Sequence, residues 1–198
     1  MRRGVLMLSG AYLVSGALLP TALAHRSKQE ARLPSIGPAP DFELTTHAEQ
    51  PFTLKSLRGQ VVVLTFIFTS CKDTCPALTA KLVGIQRKLS ADKSAKVAFA
   101  AITVDPAVDT PAVLARYARS LGATDPSWLF LSGAKEAIAD VTRRYAVFAR
   151  QPEGGSGMDH TFLTSLIDRQ GMIRVQYLGV QFSPKEFIGD VRALLAER

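Results

Sequence analysis

The sequence predicts an α/β fold in which helices cover both faces of a central sheet. Two long apolar runs, residues 61–68 and 97–104, are rich in β-branched and aromatic residues, as is typical of strands buried on both faces. Segments with apolar residues at helical spacing follow each run. This alternation of strands and helices is typical of sheets whose connections pass over their faces.

The first 24 residues are expected to be an export signal. Two arginines precede a mostly apolar stretch from Val5 to Leu19, and residues 22–24 (Ala-Leu-Ala) fit the pattern that signal peptidase cleaves. An uncleaved N-terminal anchor is the alternative, since the apolar stretch is only slightly shorter than the roughly 17–25 residues that span a bilayer. In either case we expect the folded part in the periplasm, where cysteines can oxidise.

Residues 25–40 are polar and contain three prolines, which predicts a linker. The domain itself is predicted to span residues 41–198. Polar and apolar residues alternate at 41–44 and 52–54, and each segment fits a short edge strand. We therefore expect an N-terminal β extension ahead of the first long strand.

Helices and strands alternate from the first long strand to the end of the chain. The helix after that strand presents apolar residues at positions 78, 82, 85 and 89. The elements that follow are a strand at 97–104, a helix capped at Asp109-Thr110-Pro111, a strand at 128–131, a helix at 134–145, a glycine-rich loop at 151–157, strands at 161–167 and 172–177 joined by a tight turn, and a last helix opened by a capping box at 183–186.

The formal net charge of +7 does not indicate a nucleic-acid-binding protein. The basic residues never form a run of five, and no nucleic-acid-binding motif accompanies them. The charge instead favours solubility and attraction to anionic surfaces such as a membrane.

Cys71 and Cys75 are the only cysteines, and they lie between the first long strand and the helix that follows it. In open α/β sheets, functional groups gather at this carboxyl end of a strand. Pro76 suits the first turn of the helix, so both sulfurs are expected near its positive end. Such a position lowers the pKa of a thiol and favours the thiolate that binds metals or attacks disulfides.

The spacing of the two cysteines favours a metal site over a permanent disulfide. Side chains four residues apart on a helix have β-carbons ~5–6 Å apart, whereas a disulfide requires ~3.8 Å. Two thiolates around a metal need less closure, and the same pair can still oxidise reversibly. A small structural disulfide remains the alternative, although so short a loop gains little stability from it.

The chain has three histidines, of which His160 is the candidate ligand. His25 is the expected first residue of the mature chain, and His47 lies in a polar turn that is expected to be exposed. His160 lies where the glycine-rich loop meets a buried strand, and from there it can face the cysteine loop; a histidine held in the core is the alternative. We expect Asp159 to hold its ring in place. Two thiolates and one imidazole form a soft ligand set that matches copper.

At this point the sequence resembles the Sco/SenC family of thioredoxin-like copper proteins, over residues 39–196. The resemblance rests on the segment Leu57-Arg58-Gly59-Gln60-Val61, the Cys-x-x-x-Cys-Pro loop at 71–76, the motifs Val104-Asp105-Pro106 and Asp109-Thr110-Pro111, and Asp159-His160 before a strand. The chain departs from the family at Lys72, where proline is more usual. Thioredoxins proper and peroxiredoxins match less well, because their own motifs are missing.

The resemblance implies a thioredoxin-like fold, with a central mixed sheet flanked by helices, that binds one copper ion as Cu(I) or Cu(II). It implies Cys71, Cys75 and His160 as ligands, and delivery of the copper to the binuclear copper centre of a haem-copper oxidase during cytochrome c oxidase assembly. The implied partners are the copper-centre subunit of that oxidase, or another cuproprotein, and a thiol reductant. Two alternatives remain: a thiol–disulfide oxidoreductase in which Cys71 and Cys75 are catalytic, and a copper or redox sensor.

Overall fold

The computed structural model describes residues 33–91, 96–152 and 158–197. The expected export signal, His25 and most of the glycine-rich loop lie outside these residues. Within the described ranges, no helix combines the length and the apolar character that crossing a membrane requires.

Strands and helices alternate through the described part of the chain much as the sequence predicts. The strands are β1 (Gly37–Pro38), β2 (Glu43–Thr46), β3 (Pro51–Thr53), β4 (Val61–Ile67), β5 (Val97–Thr103), β6 (Trp128–Ser132), β7 (Ala149–Arg150), β8 (Asp159–His160), β9 (Leu163–Ile167) and β10 (Met172–Leu178). The helices are α1 (Thr74–Leu89), α2 (Pro111–Ser120), α3 (Lys135–Arg144) and α4 (Pro184–Ala196).

Eight of these strands form one mixed sheet in the order β1-β10-β9-β4-β5-β6-β2-β3. The three strands β4, β5 and β6 run parallel, and the other neighbours pair antiparallel. Every residue of β4 and β5 is buried, so both faces of the sheet are covered at its centre. The predicted α/β architecture is confirmed.

The strand register brings three distant parts of the chain to one edge of the sheet. In the parallel pair, Ile67 at the end of β4 lies opposite Thr103 at the end of β5. The antiparallel strand β9 pairs its beginning with the end of β4, since Thr164 lies opposite Thr65. The cysteine loop after β4, the loop after β5 and the segment before β9 therefore meet at this edge.

The predicted helix signals are confirmed in detail. The apolar positions of α1 are buried, and α1 contacts α4, which in turn packs on β4. The Thr110 side chain caps α2 by accepting a hydrogen bond from Val113 N, and Ser183 caps α4 in the same way by accepting from Glu186 N. Each of these helices begins with proline, whose missing N–H costs nothing at that position.

The end of the predicted linker is instead part of the sheet. Residues 37–38 form β1 and pair with β10, and Ile36 N donates to Ile173 O. Ala39 is buried. Without β1, strand β10 would be an open edge, and a proline is tolerated in an edge strand because it needs no partner for an N–H. On the opposite side of the sheet, β2 lies between β6 and β3. Of the two predicted edge strands, β3 is therefore an edge strand and β2 is not.

The predicted hairpin near the C-terminus is confirmed, but its first strand is shorter than expected. Gly171 adopts a φ of +79° in the turn between β9 and β10, a conformation that glycine reaches without strain. The predicted strand 161–167 begins only at Leu163, because the chain before it leaves the sheet. There β8 pairs with β7 in a separate two-stranded ribbon, in which His160 lies opposite Ala149.

Candidate metal centre

The fold places Cys75 and His160 side by side. Cys75 lies in the first turn of α1 and His160 in β8, and the distance from Cys75 Sγ to His160 Nε2 is 3.7 Å. Cys71 lies in the loop before α1, where its Sγ accepts a hydrogen bond from Cys75 N at 3.3 Å. Both cysteines are free thiols.

Cys71, the third candidate ligand, lies in the loop next to this pair, but its sulfur does not form one cluster with Cys75 and His160. Within the described residues, no three His, Cys, Asp or Glu side chains are gathered closely enough to hold a metal ion. The Cys71 sulfur instead accepts a hydrogen bond from the backbone of the first turn of α1.

A backbone carbonyl determines which nitrogen of His160 carries the proton. Nδ1 lies 3.1 Å from Thr161 O, and because a carbonyl oxygen can only accept, Nδ1 must donate. In the neutral ring this leaves Nε2 with a free lone pair beside Cys75 Sγ. Burial lowers the pKa of His160, which favours the neutral ring that binds metals.

The expectation that Asp159 holds the histidine ring is wrong. Asp159 is exposed, and the bond to Nδ1 comes from the Thr161 carbonyl. Two aromatic rings complete the support: Phe68 meets the His160 ring edge-on at 5.5 Å, and Phe162 packs against it at 4.4 Å between centroids. The ring is thus fixed by packing and by one hydrogen bond, as the rings of histidine ligands usually are.

The expectation of a lowered thiol pKa is wrong for Cys75. Burial raises the pKa of Cys75 to about 12, since loss of solvent penalises the thiolate. The protonated thiol can donate its hydrogen to His160 Nε2. Thiolate would then form at Cys75 when a cation displaces this proton.

Asp109 is a functional residue that the sequence reasoning missed. Its carboxylate is completely buried and accepts a hydrogen bond from Thr69 N at 3.0 Å, together with bonds from the hydroxyls of Thr69 and Thr103. Thr69 lies two residues before Cys71, so Asp109 fixes the start of the cysteine loop to the end of β5. The motif Asp109-Thr110-Pro111 predicted a helix cap, but Thr110 alone supplies it.

Cys71 faces a cavity of about 550 Å³. Residues 70–74 and Asp159 contribute to its walls, and Lys72 is exposed there. Because Cys71 is only half-buried, the cavity gives another molecule access to its sulfur. The departure at Lys72 therefore affects the entrance of the site and not its interior.

His47 is not part of this site, and it is less exposed than expected. It is half-buried, and its Nδ1 accepts a hydrogen bond from Phe130 N at 3.3 Å. Its ring meets the Phe130 ring edge-on at 5.8 Å. His47 therefore stabilises the junction between β2 and β6.

The donor chemistry of the site fits a soft metal ion. Two sulfurs and one imidazole nitrogen are the atoms that copper prefers in proteins, whereas a closed zinc site needs four protein ligands. The two donors that the fold has already brought together come from segments 85 residues apart in the chain.

Comparison with known proteins gives consistent matches. The sequence profile of the SCO1/SenC family matches residues 32–196. The SCO1 protein homolog of Bacillus subtilis (strain 168) is 30% identical over 144 residues, which are 71% of this chain and 74% of that protein.

Solved structures match equally well. The ScoI of Bradyrhizobium japonicum, with copper bound, is 33% identical at a TM-score of 0.68, over 79% of this chain and 98% of that one. BsSco, which has a disulfide switch and belongs to the Sco family of cytochrome c oxidase assembly proteins, is 26% identical at a TM-score of 0.73, over 84% of this chain and 99% of that one. The predicted thioredoxin-like fold is confirmed.

Proposed function

The chain belongs to the SCO1/SenC family, and from this membership we propose that it is a copper chaperone that binds one copper ion through Cys71, Cys75 and His160. One observation carries the proposal: the His160 Nε2 atom lies 3.7 Å from Cys75 Sγ, and the second thiol, Cys71, lies in the loop just before Cys75. The copper bound to the Bradyrhizobium relative supports the choice of metal.

Each ligand has a distinct part in the proposed binding. His160 offers a fixed, neutral nitrogen, and Cys75 offers a sulfur that gives up its proton to the incoming cation. Cys71 completes the set when its loop closes by a short movement from the helix N-terminus. Two thiolates select Cu(I), and the imidazole makes the same site suitable for Cu(II).

The proposed recipient is the binuclear copper centre of a haem-copper oxidase, or another cuproprotein of similar chemistry. The role of BsSco's family in cytochrome c oxidase assembly supports this recipient. Transfer would begin at Cys71, because its sulfur is the one that the cavity exposes. A disulfide between Cys71 and Cys75 would remove both thiolates, so the cycle also requires a thiol reductant.

The proposed location is the periplasm, near the inner membrane. The apolar N-terminal segment and the pattern at residues 22–24 support export, and the net charge of +7 supports proximity to an anionic membrane surface. This location is oxidising, which explains why the thiols need a reductant.

The oxidoreductase alternative has less support from the geometry. Such an enzyme needs two thiols that exchange with a substrate, and the raised pKa and full burial of Cys75 make it a poor partner in exchange. In that alternative His160 would tune the pKa of Cys75 instead of binding metal, yet the pKa of Cys75 is raised. No specific feature favours a sensor.

Copper titration of the purified, reduced protein, followed by transfer, tests the proposal. We expect one copper per chain, loss of binding in Cys75→Ser, and normal binding in the neighbouring control Ser70→Ala. The loaded protein should then pass its copper to the copper-free soluble domain of the oxidase subunit. Thiol–disulfide exchange without stoichiometric copper binding would contradict the proposal and favour the oxidoreductase.

A further inference from the structure

A second and larger cavity, the α3 groove, lies beside the cysteine cavity. Its volume is about 750 Å³, and it runs between α3, the loop after β5 and strand β7. Its walls are mainly apolar, and they include Val104, Pro106, Ile138, Ala139, Val147 and Phe148.

The α3 groove and the candidate metal centre share a structural element. Phe148 and Ala149 line the groove. Ala149 pairs with His160 across the β7–β8 ribbon, and Phe148 O accepts a hydrogen bond from Thr161 N. Met158 lines both cavities. A molecule bound in the groove would therefore contact the ribbon that holds His160 and would reach the cavity of Cys71.

The rim of the α3 groove exposes large apolar side chains. Phe148 is 56% exposed, and Val108, next to the groove residue Ala107, is 47% exposed. Exposed apolar area around a concave surface is typical of a binding site for another protein. The rim of this groove therefore offers the aromatic anchor that protein interfaces commonly use.

The charges of the α3 groove favour an acidic partner. Three cations line it, Lys135, Arg143 and Arg150, whereas Asp105 is the one carboxylate among its described lining residues. Arg143 pairs with Asp140 on the surface of α3. Lys135 and Arg150 form no ion pair within the described ranges, and the Arg150 guanidinium lies over the Phe148 ring at 5.8 Å from its centroid.

We propose that the α3 groove docks the copper-receiving protein by binding an apolar surface segment flanked by carboxylates. This inference rests on the proposed chaperone function. The apolar segment fills the groove against Phe148, its carboxylates meet Lys135 and Arg150, and the ligands of the recipient lie beside Cys71. Docking and transfer then occur at adjacent cavities, without a rearrangement of the fold.

Binding of the copper-free protein to the copper-free soluble domain of the oxidase subunit tests this inference by calorimetry. We expect Phe148→Ser, and separately the pair Lys135→Glu with Arg150→Glu, to weaken binding roughly 10-fold or more, as loss of an interface anchor does. Wild-type binding should also weaken as salt is raised. Ile36→Ser and Arg192→Glu are the matched controls, since both residues are exposed on other elements, and they should bind like wild type.

Copper titration of the same variants separates this inference from the proposed function. We expect every groove variant to bind one copper with wild-type affinity, because none of the changed residues is a candidate ligand and the bonds of Phe148 and Arg150 to the segment of His160 are made by backbone atoms. Groove variants that dock like wild type, or controls that weaken binding equally, would overturn the inference while leaving the chaperone function intact. A wild-type chain that binds copper but does not bind the domain would also overturn it. Loss of copper binding in wild type would instead contradict the chaperone function.

Discussion

Asp109 shows how one buried carboxylate can position the cysteine loop of the candidate metal centre. A buried charge is costly unless hydrogen bonds compensate for it, and here three donors do so, from Thr69 and Thr103. The same hydrogen bonds also hold the backbone at Thr69, two residues before Cys71. The loop is therefore fixed at its beginning by Asp109 and at its end by α1.

Asp109→Ala should destabilise the reduced, copper-free protein strongly. The substitution leaves the buried Thr103 hydroxyl and the two half-buried donors of Thr69 without their acceptor, and an unpaired buried donor costs about 1–3 kcal/mol. Urea unfolding measures this loss. The control is Asp140→Ala, which removes exposed pairs with Arg143 and Arg144 and should cost about 1 kcal/mol or less. Equal losses in the two variants would show that Asp109 does not fix the loop.

The same carboxylate illustrates what sequence reasoning could not find. The motif at 109–111 fits a helix cap, and the pattern contains no sign that its first residue turns into the core. That position depends on the parallel pairing of β4 with β5, which brings Thr69 and Thr103 together. The prediction for Asp159 was wrong for a different reason. Asp159 precedes His160 in the sequence, yet the carbonyl of Thr161, the residue that follows His160, holds the ring.

At the scale of elements, long apolar runs were the reliable signals. The strands at 61–67 and 97–103 were predicted to within one residue, because burial on both faces leaves a continuous apolar pattern. The helix after the cysteines was predicted from four apolar positions, all of which are buried. Short elements gave no such signal. The strand β1 and the β7–β8 ribbon have two residues per strand, too few to show a pattern, and only pairing with another strand makes them strands.

Arg174 in β10 joins the turn after β9, the end of α4 and the N-terminal segment before β1. Its removal should release the N-terminal segment from the sheet. Its guanidinium is buried, pairs with Asp168 and Glu197, and donates to the carbonyls of Leu33 and Pro34. Arg174→Met should therefore destabilise the protein by about 3–5 kcal/mol, because it leaves Asp168 buried without its partner.

Amide hydrogen exchange gives this prediction its local readout. The amides of Ile36 and Ala39, which donate to Ile173 O and Gly171 O, should exchange much faster in Arg174→Met. Lys55→Met is the control, since it removes an exposed pair with Asp41 and should change stability by about 1 kcal/mol or less. Unchanged exchange at both amides would mean that Arg174 does not hold the N-terminal segment on the sheet.

Oxidation should join the two cysteines of the cysteine loop. We expect the copper-free protein to form a Cys71–Cys75 disulfide in air, and bound copper to protect both thiols. Oxidation would convert both thiols into a disulfide and so remove the thiolates that bind a metal; metal binding and disulfide formation therefore exclude each other. Alkylation followed by mass spectrometry measures this. Equal labelling of both cysteines with and without copper would contradict the prediction.

At the scale of the whole molecule, the topology creates the site. The cysteine loop, Asp109 and His160 belong to segments that are far apart in the chain, and they meet because β4, β5 and β9 present the appropriate ends at one edge of the sheet. The α3 groove opens beside the same edge, next to the loop after β5. The proposed binding and docking functions thus depend on one feature of the fold.

Export is expected to remove the N-terminal segment. If residues 1–24 are a cleaved signal, the mature protein begins at His25, and its intact mass will lack those residues. Mass spectrometry of the protein recovered from the periplasm measures this. Retention of Met1 would contradict cleavage and favour the membrane anchor.

Titration of His160→Ala with Cu(II) and Cu(I) tests whether Cys71, Cys75 and His160 together hold one copper ion. Imidazole matters most for Cu(II), whereas two thiolates suffice for Cu(I). Loss of a partner outside the ligand set costs roughly 10–100-fold in metal affinity, so loss of a ligand should cost more. His47→Ala is the matched control, because it removes a histidine that lies outside the site.

We predict that His160→Ala loses more than about 100-fold in Cu(II) affinity and that its sulfur-to-copper charge-transfer band fades or shifts. Cu(I) should still bind, more weakly, and His47→Ala should match wild type in both titrations. If His160→Ala instead keeps wild-type Cu(II) affinity and an unchanged band, His160 is not a ligand, and the account of this site as a copper centre of two thiolates and one imidazole is wrong.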